Sequence, residues 1–367
     1  MIWLALPAVA ASCYYVLALF GALRVAVKRK NEPNFTPPVS ILKPIRGRDP
    51  FFYNAILSHA TQRYPLFEIL FGVADPGDPA LQDICRLQAE HPEIPIRIIS
   101  TSNPTPNAKV GVLADLVPHA QHEILLVNDS DICVEPDYLC RAVAPLADPA
   151  VGLSTCLYRA RGGSFPAIVE ALGIATEFTP SVLVARLLGV AEFALGSTMA
   201  FRKRDLARIG GFAAIADYLA DDYQLGARIT KLGLSVAFAD TVVQTNVGEA
   251  TWRSIWNHQV RWSRTIRVSR PAGYYGYIAT QATVWCLLAA MAGFGLLAGI
   301  SLGLRVIVGI LTSEFVLQDR RSLAYFWLIP LRDLFGFAVW LAGVTGDSVE
   351  WRGESLRLTT DGKLTRQ

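Results

Sequence analysis

Two stretches of this sequence are too long and too apolar to be left in water, and they constrain everything between them. Ile2 to Leu23 is an uncharged run of 22 residues. As a helix rising about 1.5 Å per residue it reaches about 33 Å, enough to cross a bilayer core. Arg24, Lys28, Arg29 and Lys30 come directly after it. A secretory signal carries its charge ahead of a shorter apolar core, so this order predicts a retained anchor, and the positive-inside rule puts the next segment of the chain in the cytosol. Towards the other end, Ala272 to Leu304 holds 33 residues without a charge, and Leu323–Leu331 with Leu334–Val344 forms a second apolar stretch. Two or three C-terminal spans are expected. Arg305 to Leu317 carries Glu314 and reads either as a short span or as a re-entrant piece, which leaves the side of the tail open. Arg332 and Asp333 stand inside the last apolar stretch, where snorkelling or pairing with neighbouring helices outweighs a functional role.

The rest of the composition agrees with a membrane protein that has a soluble part. Hydrophobic residues make up 52% of the 367, above the share of about 45–50% in soluble domains. A net charge of +3 on 34 basic and 31 acidic side chains gives no global field, so nucleic acid is not an expected partner. Cys13, Cys85, Cys133, Cys140, Cys156 and Cys286 show no CxxC spacing, which points to a reducing compartment and no structural metal. His59, His91, His119, His122 and His258 form no ligand pattern either.

The chain divides into an N-terminal anchor (1–30), a cytosolic domain (31–271), a C-terminal membrane region (272–345) and a polar tail (346–367). Within the second piece Val39–Leu42, Glu68–Ala74, Ile96–Ser100, Glu123–Asn128, Val151–Leu157, Phe193–Phe201 and Leu234–Ala239 read as strands, with helical patterns between most of them. Short apolar strands alternating with helices predict an α/β domain with a doubly wound, mostly parallel sheet. Such sheets bind ligands at the carboxyl ends of their strands.

Acidic residues stand at those ends. Asp75 closes the run Ile69–Ala74, and being followed by Pro76-Gly77 it is equally well a turn former. Asp129-Ser130-Asp131 succeeds Ile124–Asn128 and places two carboxylates where they can converge on one hard divalent cation, Mg or Mn, leaving its other positions to water and phosphate oxygens. Asp221-Asp222 opens a helix running towards Lys231, a position that also suits the helix dipole. His258-Gln259-Val260-Arg261-Trp262, with Arg264, Arg267 and Arg270, precedes the membrane run. It reads as a basic collar on anionic lipid, or as a site where Arg261 and Trp262 meet a diphosphate or a sugar.

Taken together and in this order, these residues resemble the ceramide glucosyltransferase family (glycosyltransferase family 21), and within it the bacterial hopanoid-biosynthesis-associated enzymes. The likeness rests on Val39-Ser40-Ile41-Leu42-Lys43-Pro44 with Gly47, Tyr64-Pro65, Glu68–Phe71, Asp75-Pro76 with Asp78-Pro79, Asn128–Asp131, Ala220–Tyr223 and Arg261-Trp262. The resemblance implies a GT-A fold, an inverting reaction, a divalent cation, a UDP-sugar donor (UDP-N-acetylglucosamine or UDP-glucose), a membrane-lipid acceptor and a multi-pass protein of the bacterial inner membrane. By the same analogy Lys43, Asp75, Asp129, Arg261 and Trp262 meet the donor, Asp129 and Asp131 hold the metal, and Asp222 is the general base. Gly196, Ser197 and Thr198 meet the acceptor on that analogy. In two places the chain departs from the family pattern. Animal ceramide enzymes resemble Asp-Ser-Gly where this chain has Asp129-Ser130-Asp131, and His258 stands first in what is usually a Gln/Arg-x-x-Arg-Trp motif. These favour a hopanoid lipid as acceptor over ceramide or diacylglycerol. A processive polysaccharide synthase would show a strict Gln-x-x-Arg-Trp and more spans, and a non-enzymatic membrane protein would leave three acidic sites unexplained.

Overall fold

Ile41 and Leu42, Ile69 and Leu70, and Leu125 and Leu126 point in pairs to opposite faces of one sheet, and all six are fully buried. A sheet whose neighbouring residues are all apolar is covered on both sides, as parallel sheets require. The computed structural model describes residues 2–27, 34–351 and 354–366, so the basic residues Lys28, Arg29 and Lys30 lie outside the described part. The strands are β1 (Val39–Ile45), β2 (Phe67–Val73), β3 (Ile96–Ser100), β4 (Ile124–Val127), β5 (Ile132–Cys133), β6 (Val151–Gly162), β7 (Met199–Arg202) and β8 (Ser235–Gly248). Their order is β3-β2-β1-β4-β7-β6-β8-β5. β1 to β4 are mutually parallel, β7 runs against β4 and β6, β8 is parallel to β6, and β5 pairs antiparallel with β8. The helices Phe52–Ala60 and Ala80–Glu90 cover one face, while Ala108–Leu116 and Asp221–Lys231 cover the other. This is the expected α/β, mostly parallel architecture.

The expected strand over Phe193–Phe201 is shorter than the apolar run suggests. Only Met199–Arg202 joins the sheet, because Leu195–Thr198 folds into a tight turn closed by a Leu195–Thr198 bridge.

Among the described residues four helices are long and apolar enough to cross a membrane: Leu6–Val27, Phe165–Leu187, Gly295–Val316 and Ser322–Val344. The 33-residue uncharged run does not form one element. It breaks at Gly293, whose φ of 91° favours glycine, into the short helix Ala282–Met291 and the longer Gly295–Val316. The doubtful Arg305–Leu317 segment is therefore the second half of a continuous long helix. Leu6, Val9, Val16, Phe20, Leu296, Ile300, Ile307, Trp327, Leu331 and Leu341 face outward from these helices. Their inner sides carry Ala8, Ala11, Ala18, Ser301, Arg305, Arg332 and Asp333. Apolar outside and small or polar inside is the pattern of helices packed in lipid.

The second long helix, Phe165–Leu187, lies inside the segment expected to be cytosolic. Its N-terminal Ser164 donates to Ala250 O at 2.7 Å, just beyond β8, and Arg186 near its C-terminus donates to Val236 O at 2.8 Å, at the start of β8. Tied at both ends to the region of one strand, it lies along the sheet. Its other side receives the membrane helices: Gly21 abuts Leu183 and Leu187, and Gly309 abuts Thr176. The Arg305 guanidinium donates to Thr176 O (2.7 Å) and pairs with Asp333 (2.6 Å), and Arg332 pairs with Glu177 (2.8 Å). Arg332 and Asp333 thus pair with neighbouring helices.

The tail is folded. Ser348–Trp351, Glu354–Leu358 and Leu364–Arg366 form an antiparallel sheet (β9 to β11) that packs Val349, Leu356, Leu358 and Leu364 around Leu219. Leu364 N donates to Asp217 O at 2.7 Å, and Arg46 pairs with Glu354 at 2.8 Å. The tail therefore packs against the domain that holds the eight-stranded sheet.

Candidate active site

β1, β2 and β4 run parallel and in register, so their carboxyl ends open on one edge. Beneath that edge a buried network fixes the end of β4. Asn128 Nδ2 lies 2.9 Å from His59 Nε2 and donates to Tyr138 OH at 3.1 Å, and Tyr138 OH is 2.9 Å from Thr198 Oγ1. Desolvation, and then the neighbouring Lys43, holds His59 well below the usual imidazole range, so it is a neutral strut. Lys43 is fully buried and donates to Asp129 O at 3.2 Å. Burial lowers its pKa to about 7, against the pull of Asp131 and Asp129. In this state Lys43 braces the backbone of the Asp-Ser-Asp turn rather than facing an open donor site.

Asp129 projects from the turn with its side chain 45% exposed. Asp131 turns back: its carboxylate accepts from Thr245 Oγ1, and its carbonyl accepts from Asn246 Nδ2 at 3.4 Å. Desolvation and the Asp129 charge push Asp131 up to about 6, against the Thr245 hydrogen bond. Two carboxylates are the donor set of a hard divalent cation, whose charge would relieve that repulsion. Among the described residues no group of three or more His, Cys, Asp or Glu side chains is placed to hold a metal.

Asp222 lies across from this pair. It sits in the first turn of the Asp221–Lys231 helix, where Oδ1 accepts from Tyr223 N (2.7 Å) and Oδ2 from Gly196 N (3.0 Å). Desolvation and the adjacent Asp221 push it up to about 6, partly offset by Lys109 and the two backbone donors. Gly196 stands where the two sites meet. A Cβ there would lie 3.5 Å from Asp222 Oδ2 and 3.8 Å from Asp129 Oδ2. Ser197 and Thr198 instead turn inward, donating to Cys156 O (3.2 Å) and joining Tyr138, so Gly196 alone of that trio faces the acids.

The other expected residues are more dispersed. Asp75 is exposed at the end of β2 and accepts from Gly77 N at 2.8 Å, forming a turn. Asp78 ties the same corner to the loop after β1 by accepting from Gly47 N at 2.7 Å. Trp262 packs on Phe178, which packs on Tyr158. Arg261, on another face of the helix Trp252–Ser269, lines a cavity of about 370 Å³ with Trp256, Arg264 and Glu350. His258 packs at a tilt against Trp262 (4.3 Å between ring centres) and approaches the buried Glu170 at 3.2 Å, while Gln259 donates to Glu170 at 2.7 Å. The departure at His258 thus has a structural use: it anchors this helix to Phe165–Leu187. The basic residues of the collar also hold the structure together. Arg264 and Arg267 donate to the carbonyls of Val344, Thr345, Gly346 and Ser348, and Arg270 pairs with Glu192.

Sequence reasoning missed Lys109, whose ammonium lies 2.9 Å from Asp129 Oδ1 and 3.1 Å from Asp221 Oδ2. Burial opposes its charge, but Asp129, Asp221 and Asp222 raise its pKa above the ordinary lysine value. A signal was present: Lys109 is the second residue of a helix capped by Asn107, where the dipole disfavours a cation unless anions face it.

Asp129 and Asp222 thus face each other across Gly196 at the open edge of an α/β sheet. The family model for glycosyl transferase family 21 matches residues 3–364. The chain belongs to this family. Two relatives are ceramide glucosyltransferases of Caenorhabditis elegans. Ceramide glucosyltransferase 1 is 24% identical over 95% of this chain and 78% of its own length, and ceramide glucosyltransferase 3 is 25% identical over 68% of this chain and 54% of its own. Among solved structures, a mannosyltransferase from Pyrobaculum calidifontis in complex with GDP-Man and Mn2+ superposes with a TM-score of 0.54 at 19% identity, covering 93% of this chain and 99% of that one. That likeness establishes a shared fold, the GT-A architecture. This family 21 chain is thus a glycosyltransferase and a membrane protein.

Proposed function

We propose that the enzyme transfers one glucose from UDP-glucose to ceramide or a ceramide-like lipid, with inversion, at the cytosolic face of its membrane. The observation that carries this reading is the convergence of Asp129 and Asp222 on Gly196. It leaves a space lined on one side by a cation-type carboxylate and on the other by a carboxyl able to take a proton. The names of the relatives favour ceramide over the hopanoid lipid to which the Asp131 and His258 departures pointed.

In this mechanism Asp222 takes the proton of the acceptor hydroxyl as that oxygen bonds to the anomeric carbon, and the bond to the diphosphate breaks on the opposite face. Asp129 and Asp131 would hold a divalent cation, Mg or Mn, which when bound neutralises the departing diphosphate. Gly196 N and Tyr223 N hold the Asp222 carboxyl in orientation. Asp75 at the rim contacts the nucleotide, and Trp262, beside Phe178 and Tyr158, lines the sugar or acceptor side.

Because the base acts only when ionised, kcat/KM measured at saturating divalent cation is expected to be flat above neutrality and to fall as pH drops through about 6. A profile of kcat/KM against pH with no acid limb between pH 5 and 7 would remove Asp222 from this role. The acceptor is tested with purified protein, UDP-glucose or UDP-N-acetylglucosamine, and vesicles carrying ceramide, diacylglycerol or a hopanoid alcohol. Mass spectrometry is expected to find a singly glucosylated ceramide. Transfer to the hopanoid alone would return the acceptor to that class, and a ladder of sugars would establish a polymerase.

A further inference from the structure

The start of the helix Ala108–Leu116 is built to hold one side chain in place. Asn107 accepts from Val110 N (3.3 Å), donates through its amide to Tyr218 O (2.8 Å), and donates through its own N–H to Ala216 O (2.9 Å). The helix start is thereby locked to the segment that leads into Asp221-Asp222. Lys109, with its side chain 16% exposed, then forms ion pairs with both Asp129 Oδ1 and Asp221 Oδ2. It spans the two halves of the transfer site, and one of its partners is a carboxylate that would bind the cation.

We propose that Lys109 is a resident counter-cation that keeps Asp129 from taking up a divalent cation until a nucleoside diphosphate arrives, so that metal and donor bind as a unit. The inference rests on the reading of Asp129 and Asp131 as the cation's ligands. An ammonium on Asp129 Oδ1 repels a second cation at the same carboxylate. The diphosphate reverses this balance twice over: its charge attracts the ammonium, and its oxygens supply the ligands that the aspartate pair lacks. Lysine suits the task because its charge rides on a flexible four-carbon stem. A purely structural Lys109 would make the opposite prediction, since removing it would loosen Asp129 and weaken metal binding.

The test measures Mn2+ binding to the full-length protein in detergent by electron paramagnetic resonance, with and without UDP and without acceptor. The Asp129→Ala protein serves as the blank for Mn2+ chelated by UDP in solution. Wild-type protein is expected to bind Mn2+ weakly alone and more tightly with UDP. Lys109→Met should bind Mn2+ alone about tenfold more tightly than wild type, as expected when a competing state is removed, and should gain less from UDP. Lys109→Gln should behave like Lys109→Met, while Lys109→Arg should keep the wild-type pattern. If Lys109→Met and Lys109→Gln bind Mn2+ alone no better than wild type, the counter-cation role is wrong. If wild type with UDP takes up no more Mn2+ than the Asp129→Ala blank, the ligand assignment itself falls, and the inference with it.

Discussion

Replacing Asp222 with Asn is expected to lower kcat for sugar transfer by about 10²–10⁴, the range for loss of a positioned general base, while UDP binding survives. Asn keeps the size of the side chain but cannot accept the acceptor's proton. It can also still accept one of the two backbone hydrogen bonds, from Gly196 N or Tyr223 N. The lost bond costs about 1–3 kcal/mol of stability if its donor stays unpaired, so the variant must be assayed well below its unfolding temperature. Two measurements decide the matter: single-turnover transfer and UDP affinity by calorimetry. Transfer at the wild-type rate would show that another group takes the proton. Loss of UDP binding together with transfer would move Asp222 from chemistry to donor recognition.

The parts of this site that could be read from the sequence are those whose signal is local. Ile69–Val73 and Ile124–Val127 are strands buried on both faces, so they appear as unbroken apolar runs, and the acids that end them stand out. Asp221 was legible as the start of a helix, but its meeting with Lys109 was not, because it depends on the tertiary path from Asn107 to Ala216 and Tyr218. Ser197 and Thr198 carry polar groups at a plausible place in the chain, but the turn before β7 directs them inward.

The helix Phe165–Leu187 was hidden for a different reason. Glu170 and Glu177 interrupt its apolar character, and their partners His258, Gln259 and Arg332 are remote in sequence. The tail illustrates the reverse error. Its composition reads only as polar, yet the alternation of Ser355-Leu356-Arg357-Leu358 is that of a strand with one buried face, and that face packs around Leu219.

Breaking the buried ion pair between Arg305 and Asp333 is expected to be the most damaging substitution outside the catalytic residues. Arg305 is fully buried; its guanidinium takes both Asp333 oxygens (2.6 and 3.2 Å) and Thr176 O (2.7 Å), and Thr283 donates to Asp333 at 2.6 Å. One side chain thereby joins Gly295–Val316, Ser322–Val344 and the Phe165–Leu187 helix that supports the sheet. Asp333→Leu leaves an uncompensated guanidinium in an apolar bundle, with an expected loss of about 3–5 kcal/mol. Arg305→Met alone leaves the carboxylate and should cost a similar amount. The double variant removes both charges, and burial of two apolar side chains should restore most of the loss, because the pair's mutual attraction is largely offset by its desolvation. Thermal unfolding of the four proteins in one detergent measures the cycle. Full recovery in the double variant would make the pair a matter of specific helix registry. A double variant as unstable as either single one would instead place the stabilisation in the hydrogen bonds to Thr176 and Thr283. Those bonds connect the membrane helices to the layer under the active site, so transfer activity should then fall together with stability.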